Sequence, residues 1–357
     1  MIMAGGTGGH VFPGLAVAAE LRARNSEVVW LGTQRGLEAR LVPQQGIDIE
    51  WITIAGVRGR GLGAWLSAPV RVAAAVAQAL AAMRRRRPAA VLGLGGFVSG
   101  PGGLAAWLTR RPLLIHEQNS VAGTTNRWLA PLAARVFEAF PGSFPSRVRA
   151  ELVGNPVRRG FASGESPRQR LMARAGERRR VFVLGGSQGA RVLNETLPQT
   201  LALLPADARP EVWHQAGTGG IDAARAAYAA AGIDARVDAF IDDMGSAYRW
   251  ADLVVARAGA LTVTELTHVG VGAILVPLPT AIDDHQTHNA LHFVSRGAGI
   301  LLPQRDLTPT ALAKELARQL ADFPGLVAMA EAARAQAMHA AAERLADACL
   351  EAAEARA

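Results

Sequence analysis

Lysine is nearly absent: of 38 basic residues only Lys314 is a lysine, so the positive balance is carried by arginine. Cysteine is as scarce. Cys349 stands alone, which excludes an internal disulfide and any multi-thiolate zinc or iron–sulfur site and fits a reducing cytoplasm. Aromatic residues make up 5% of the chain, too few for the stacking platforms of single-stranded nucleic-acid binders. No zinc-finger, helix-turn-helix or RNP-like motif is present, so nucleic acid is not an expected partner. Long unbroken apolar runs are missing as well. The first 19 residues carry no formal charge apart from His10, but Gly5, Gly6, Gly8, Gly9, Gly14 and Pro13 break the run and no basic segment precedes it. Later apolar stretches are interrupted by Arg71, Gln78 or Arg110-Arg111. Neither a signal peptide nor a membrane-spanning helix is expected.

What is present is a chain of 357 residues, half of them apolar and 19% charged, with a formal net charge of +8. At roughly 150 residues per domain this predicts two globular domains with cores of their own. Short apolar runs alternate with alanine- and leucine-rich helical runs. Strands are expected at Val28–Leu31, Ile49–Ile54, Ala90–Leu94, Leu113–His116, Val181–Leu184, Glu211–Gln215, Leu253–Val255 and Ala273–Val276. Helices are expected at Pro13–Arg24, Leu66–Arg87, Val192–Leu203 and Ala223–Ala231. This βαβα rhythm predicts parallel sheets wrapped by helices.

The two halves begin alike. Met1–Ala4 runs into Gly5-Gly6-Thr7-Gly8-Gly9-His10 and a helix, and Val181–Leu184 runs into Gly185-Gly186-Ser187-Gln188-Gly189-Ala190 and another helix. Two Rossmann-like domains are expected, with a linker from Gly154-Asn155-Pro156-Val157-Arg158 to Pro167. A glycine loop before a helix lets backbone N–H groups and the positive helix end approach a phosphate; the alternative is a tight strand-to-helix turn. Neither loop is a Walker sequence or Gly-x-Gly-x-x-Gly. The second strand of each half also ends without the acidic residue that would hold a nicotinamide ribose, which disfavours a dinucleotide oxidoreductase.

Further polar groups fall where strands end. Gly93–Gly103 reads as a third glycine loop, facing Gly5–His10 or serving close approach between neighbouring loops. His116-Glu117-Gln118-Asn119 follows the strand at Leu113, and Arg257 to Glu265 follows the strand at Leu253. Glu265 could accept two hydrogen bonds from a sugar diol or complement a helix N-terminus. Asp283 to Asn289 is the densest polar cluster. Asp284 and His288 could share a helix face, but no matching ligand set stands elsewhere, so no metal is expected.

Taken together, these segments resemble the MurG family of bacterial N-acetylglucosaminyltransferases. The matching motifs are Met3 to Val17, Gly95 to Gly103 around Phe97, His116 to Asn119, Gly154 to Arg158, Gly185 to Ala190, Phe240 to Met244 and Gly259 to Glu265, in order along nearly the whole chain. The resemblance implies an α/β GT-B architecture of two Rossmann-like domains with parallel sheets facing an interdomain cleft. It implies residues 1–157 with a returning C-terminal helix 339–357 as the acceptor and membrane side, and 158–338 as the donor side. The implied reaction is inverting transfer of N-acetylglucosamine from UDP-N-acetylglucosamine to the C4 hydroxyl of the lipid-linked muramyl-pentapeptide lipid I, giving lipid II for peptidoglycan, without a cofactor.

By the same resemblance, Ser187 and Arg158 would face the diphosphate and Ile241 the uracil. Ala260, Leu261, Thr262, Val263, Thr264 and Glu265 would flank the nucleotide, with Glu265 on the ribose. Gln286 would reach the donor sugar, while Thr7, Gly8, Gly9 and Asn119 would approach it from the N-terminal side. The base that takes the acceptor proton would be His10 or Glu117, histidine being the residue type suited to proton transfer near neutral pH; His10 could instead order the loop. Phe97 stands where relatives can carry tyrosine, and Ala258 replaces a serine of some members. The first strand is short, which leaves room for an upstream start codon.

Lipid I lies in the inner leaflet, so a peripheral protein on the cytoplasmic face of the inner membrane is expected, with anionic lipids and cell-wall synthesis proteins as partners. Trp65 to Arg87, ending in Arg84 to Arg87, is either an interfacial anchor or a core helix with a solvated basic end. The competing functions are a UDP-sugar epimerase of the same architecture and an arginine-rich nucleic-acid binder with steep salt dependence.

Overall fold

A computed structural model describes residues 1–54, 68–158, 160–161, 164–185 and 190–355. The chain splits into two compact units, Met1–Arg158 with Met338–Ala357 and Arg159–Ala337. Each holds one parallel sheet covered by helices.

In the first unit the order is β1 (Ile2–Met3), α1 (Gly8–Ala23), β2 (Val29–Gly32), α2 (Glu38–Gln44), β3 (Asp48–Trp51), α3 (Ala68–Arg86), β4 (Val91–Gly93), α4 (Gly96–Leu108), β5 (Leu113–Glu117), α5 (Thr124–Leu129), β6 (Arg135–Glu138) and β7 (Glu151–Leu152). The strands lie side by side as β3-β2-β1-β4-β5-β6-β7. All pairings are parallel, with Ile2 opposite both Trp30 and Leu92. Alternation along the strands splits the core between the two faces. Ile2, Ala4, Trp30, Leu92 and Leu114 pack with Val11, Val17 and Leu21 of α1, while Met3, Leu31, Leu113 and Ile115 pack with Met83 of α3 and Val98 of α4. Trp30 is fully buried, and its indole N–H donates to Ala4 O at 2.8 Å.

The second unit runs α6 (Pro167–Met172), β8 (Arg180–Leu184), α7 (Arg191–Ala202), β9 (Glu211–Gln215), α8 (Ile221–Ala230), β10 (Arg236–Asp238), α9 (Met244–Trp250), β11 (Leu253–Ala256), α10 (Ala260–Val269), β12 (Gly272–Leu275), α11 (His285–Val294), β13 (Gly299–Leu301), α12 (Pro309–Ala321) and α13 (Phe323–Arg334). Its sheet order is β10-β9-β8-β11-β12-β13. In both sheets the strand order reverses around the first strand, β1 between β2 and β4 and β8 between β9 and β11. Such a reversal leaves a crevice at the carboxyl ends of the strands. The glycine segments after β1, β4, β8 and β11 all start there.

Two expectations are corrected by the helices. The first helix starts at Gly8, so Gly8, Gly9 and His10 form its first turn and Pro13 lies inside it. The third glycine segment is mostly helix: α4 begins at Gly96 and carries Gly100, Pro101, Gly102 and Gly103. Small residues on this helix let it lie close to the sheet. A Cβ on Gly102 would collide with the Met3 sulfur, and one on Gly103 would come within 2.7 Å of Leu129.

The last helix, α14 (Ala341–Glu354), covers the α1 side of the first sheet. Leu345 is wholly buried there, and Arg24 and Arg135 pair with Asp347 and Glu351 at 2.6 and 2.7 Å. These pairs are solvated and contribute little, so the attachment rests on apolar burial. Leu345→Ala should therefore cost about 2–5 kcal/mol. A urea melt reporting on the first unit checks this, and an unchanged midpoint would contradict it.

Candidate active site

The strand reversal of the first unit is closed by a close approach of two glycine turns. Gly95 and Gly96 have φ of +90° and +76°, and a Cβ on Gly96 would lie 2.5 Å from Gly5 O. The segment after β4 thus does make close contact with the segment after β1. His10 packs on the same turn: a Cβ on Gly95 would lie 3.1 Å from its Cε1. Thr7, the N-cap of α1, makes no side-chain cap, and no acidic residue lies in the first turn. Its carbonyl takes the N–H groups of His10 and Val11 at 3.2 Å each, while Gly6 and Thr7 are exposed. An uncapped first turn of this kind attracts an anionic or strongly accepting ligand.

A carboxylate that sequence reading passed over holds this turn from below. Glu38, the first residue of α2, is fully buried; its Oε2 accepts from Gly6 N at 2.9 Å and its Oε1 from Thr33 N and Oγ1 at 3.0 and 2.8 Å. The only sequence signal was an acidic residue at a helix start, which ordinarily marks a dipole partner.

His116 to Asn119 stand at the end of β5, but they do not present four polar groups outward. Glu117 is 2% exposed, and its carboxylate is filled by four donors. Oε1 accepts from Asn119 N and Nδ2 at 3.0 and 3.2 Å, and Oε2 from Gly123 N and Asn126 Nδ2 at 3.0 and 2.8 Å. It stitches residues 117–126 into one loop. Asn119 is half-buried within that loop, its carbonyl taking Ser143 Oγ at 2.8 Å. His116 is fully buried and bonded to Gly154 O, and burial pushes its imidazole down to about 4. His10 is half-buried, with Nδ1 2.9 Å from Gln118 Oε1. Arg158 belongs to this unit and its guanidinium lies over the Phe12 ring of α1 at 4.7 Å, a cation–π contact that leaves its charge exposed.

In the second unit, Ser187 lies outside the described residues, as do Trp65 to Ser67 of the basic helix segment. The N-terminus of α10 is built as that of α1 is: Gly259 caps it without a side chain, and no acidic residue lies in the first turn. Asn289 Nδ2 holds the turn before it through Ala258 O at 3.2 Å. Of residues 260–265, Ala260, Val263 and Thr264 are buried, and Thr264 Oγ1 donates to Ala260 O at 2.9 Å. Leu261, Thr262 and Glu265 are only half-buried. Glu265 Oε2 accepts from Tyr248 OH at 3.0 Å. Tyr248 is wholly buried, edge-on to Phe182 at 5.6 Å, so its hydroxyl fixes Glu265 from the core. Nothing in the sequence separated this tyrosine from an ordinary core aromatic.

Ile241 is buried beside exposed Phe240, and Asp243 caps α9 through Ser246 N at 2.9 Å. Gln286 Oε1 accepts from Leu278 N at 3.0 Å, which ties the start of α11 to the loop after β12. Asp283 and Asp284, just before it, have φ of +53° and +50°. Left-handed backbone at non-glycine positions is strained and clusters at ligand-binding segments. Asp284 Oδ1 accepts from Thr287 Oγ1 at 2.7 Å. Among the described residues no group of three His, Cys, Asp or Glu side chains could hold a metal ion.

Comparison with known proteins places this geometry in a family. Residues 1–138 match the glycosyltransferase family 28 N-terminal domain and residues 180–345 its C-terminal domain. A protein of Nitrosococcus oceani named UDP-N-acetylglucosamine–N-acetylmuramyl-(pentapeptide) pyrophosphoryl-undecaprenol N-acetylglucosamine transferase is 60% identical over 98% of both chains. A protein of the same name from Marinobacter nauticus is 54% identical over 99% of this chain and 97% of its own. The crystal structure of Acinetobacter baumannii MurG matches with a TM-score of 0.84 at 41% identity, covering 98% of this chain and 99% of that one. The calicheamicin glycosyltransferase CalG4 matches at a TM-score of 0.70 and 17% identity, a likeness of fold. With its two Rossmann-like, parallel-sheet domains in the GT-B architecture, the chain belongs to glycosyltransferase family 28 and, within it, to the MurG group of N-acetylglucosaminyltransferases.

Proposed function

We propose that the protein transfers N-acetylglucosamine from UDP-N-acetylglucosamine to the C4 hydroxyl of the muramyl sugar of lipid I, with inversion, yielding lipid II. The observation that carries this reading is the pair of uncapped helix N-termini at the two strand reversals, one of them ending its first turn in His10. Loss of UDP develops negative charge on the leaving diphosphate, which backbone amides and Arg158 can stabilise without a metal. In the second unit, Glu265, oriented by Tyr248, accepts the ribose hydroxyls, and Ile241 lies against the uracil. Ser187 faces the diphosphate. Ala260 to Thr264 line the nucleotide through the backbone of the α10 turn, and Gln286 uses its amide N–H on the donor sugar. Thr7, Gly8, Gly9 and Asn119 bound the sugar from the first unit.

His10 is the base. As the acceptor oxygen bonds to C1 of the donor sugar and the C1–O bond to UDP breaks, His10 takes the hydroxyl proton. Glu117 is unsuited to that task, since its four hydrogen bonds already occupy the lone pairs a proton would need. It serves instead as the anchor of residues 117–126.

Docking to the inner leaflet needs an apolar face with basic neighbours. No described helix is long and apolar enough to cross a membrane. Because α3 and α4 both follow strands of one parallel sheet, their C-terminal ends lie at the same edge. That edge exposes Trp107 and Leu108, each 50% accessible, beside Arg84 to Arg87. Arg85 and Arg86 are paired with Glu50, so Arg84 and Arg87 are better placed to meet anionic lipid. The protein therefore works as a peripheral enzyme on the cytoplasmic face, where cell-wall synthesis proteins can join it.

Incubation with UDP-N-acetylglucosamine, with and without a lipid I analogue, should give disaccharide product by mass spectrometry only when acceptor is present. Altered UDP-sugar without acceptor would select an epimerase instead. His10→Ala should lose about two to four decades of turnover, and Glu117→Gln at least about tenfold less than that. On anionic vesicles, neutralising Arg84 and Arg87 should weaken co-sedimentation by about 1 kcal/mol per charge. Unchanged binding would remove this edge from the docking surface.

A further inference from the structure

Two buried side chains, His116 and Gln118, take no part in the transfer as described, yet they connect His10 to the segment that leaves the first unit. His116 Nε2 lies 2.9 Å from Gly154 O. A carbonyl only accepts, so Nε2 carries the proton. Burial keeps this ring neutral, which leaves Nδ1 bare. Gln118 Nε2 lies 3.1 Å from that Nδ1 and 3.1 Å from His116 O. Both are acceptors, so the amide nitrogen faces His116 and the amide oxygen faces the other way. That oxygen is 2.9 Å from His10 Nδ1. Since an amide oxygen cannot donate, His10 Nδ1 carries its proton, and in the neutral ring the lone pair is at Nε2.

We propose that Gln118, oriented by His116 and the Gly154 carbonyl, is a positioning residue that holds neutral His10 in the Nδ1–H tautomer and so makes Nε2 the atom that accepts the acceptor's proton; this rests on the reading of His10 as base. No partner of His10 Nε2 is present among the described residues. As the proton arrives, His10 becomes an imidazolium whose Nδ1–H still points at Gln118 Oε1, so the same bond that sets the tautomer also stabilises the charged product of the proton transfer.

Further contacts fix Gln118 and Gly154 in place. Asn155 Nδ2 donates to Gln118 O at 3.0 Å, and Gly154 adopts φ of +83°, with Met338 so close that a Cβ on Gly154 would lie 2.6 Å from Met338 Cβ. His116 and Gln118 are 0% and 1% exposed, so water does not compete for these bonds. The choice of amide follows. A carboxylate at 118 would accept from His10 equally well but could not donate to His116 Nδ1 or O, and it would be a buried charge.

The test is long-range proton–nitrogen correlation NMR on the full chain with nitrogen-15 histidine, at about pH 8, above the ordinary imidazole range. His10 is assigned by its absence in His10→Ala. We expect a protonated Nδ1 and a bare Nε2 in the wild type. In Gln118→Leu the tautomer preference should be lost, and kcat should fall about 10- to 100-fold with KM for UDP-N-acetylglucosamine unchanged. Gln118→Glu keeps an acceptor for His10 and should keep the Nδ1–H tautomer, so the proposal stays testable if the leucine variant does not fold. Normal turnover in His10→Ala overturns the base reading. An Nε2–H tautomer in the wild type, or an unaltered tautomer and kcat in Gln118→Leu, overturns the positioning role while leaving the base reading intact.

Discussion

The separation of Gly96 from Gly5 governs the first unit. With only 2.5 Å from a Cβ position on Gly96 to Gly5 O, no other residue fits at 96 without moving a backbone. The contact lets β1 and β4 lie adjacent while α1 and α4 start side by side, with neither first turn covered. Glu38 supports that turn through Gly6 N, and His10 packs on Gly95 and Gly96. The second unit meets the same demand differently. Its α10 turn is held from behind by Asn289 on Ala258 O, and Glu265 is held from the core by Tyr248. In each unit, buried polar side chains satisfy the loop from inside, so its outward amides stay available to a ligand.

The strong arginine excess does not form one basic field. Arg135 pairs with Glu151 and Glu351, Arg168 with Glu331, Arg180 with Glu211 and Arg191 with Glu195, each contact within 3.0 Å. Several others serve backbone carbonyls: Arg170 donates to Val269 O and Gly270 O, and Arg257 to Val276 O and Pro277 O. Arginine suits such places because its planar fork binds two acceptors at once and stays charged. The local pairs cancel, so the net charge of +8 is only the excess of 38 basic over 30 acidic residues, and only the exposed cations near a particular ligand or surface matter to function.

Much of this was legible in the chain itself, because the strong signals were local. Buried central strands such as Val181–Leu184 and Leu253–Val255 read as continuous apolar runs, and glycine turns marked their ends. Several outer strands were not legible. Arg135–Glu138, Glu151–Leu152, Arg236–Asp238 and Gly299–Leu301 are short, all but the last carry charge, and they owe their extension to a neighbouring strand. Glycine also misled: in Gly96–Leu108 the glycines signal close helix packing, which depends on Met3 and Leu129 from distant parts of the chain. Roles at the site were blurred for the same reason. His116, Glu117, Gln118 and Asn119 are four neighbours in sequence, yet three dimensions give them different work, because strand alternation and the turn after β5 aim each at different partners.

In the proposed reaction labour is divided: the second unit would bind the nucleotide, and the first unit would supply the proton acceptor. The direct measurement is calorimetry of UDP binding to Glu265→Ala and to His10→Ala, with turnover measured alongside. Losing hydrogen bonds to a charged acceptor costs about 1.5–3 kcal/mol, so Glu265→Ala should raise Kd about ten- to hundredfold. His10→Ala should leave Kd within about twofold while turnover collapses. An unchanged Kd in Glu265→Ala together with a weakened one in His10→Ala would contradict the account.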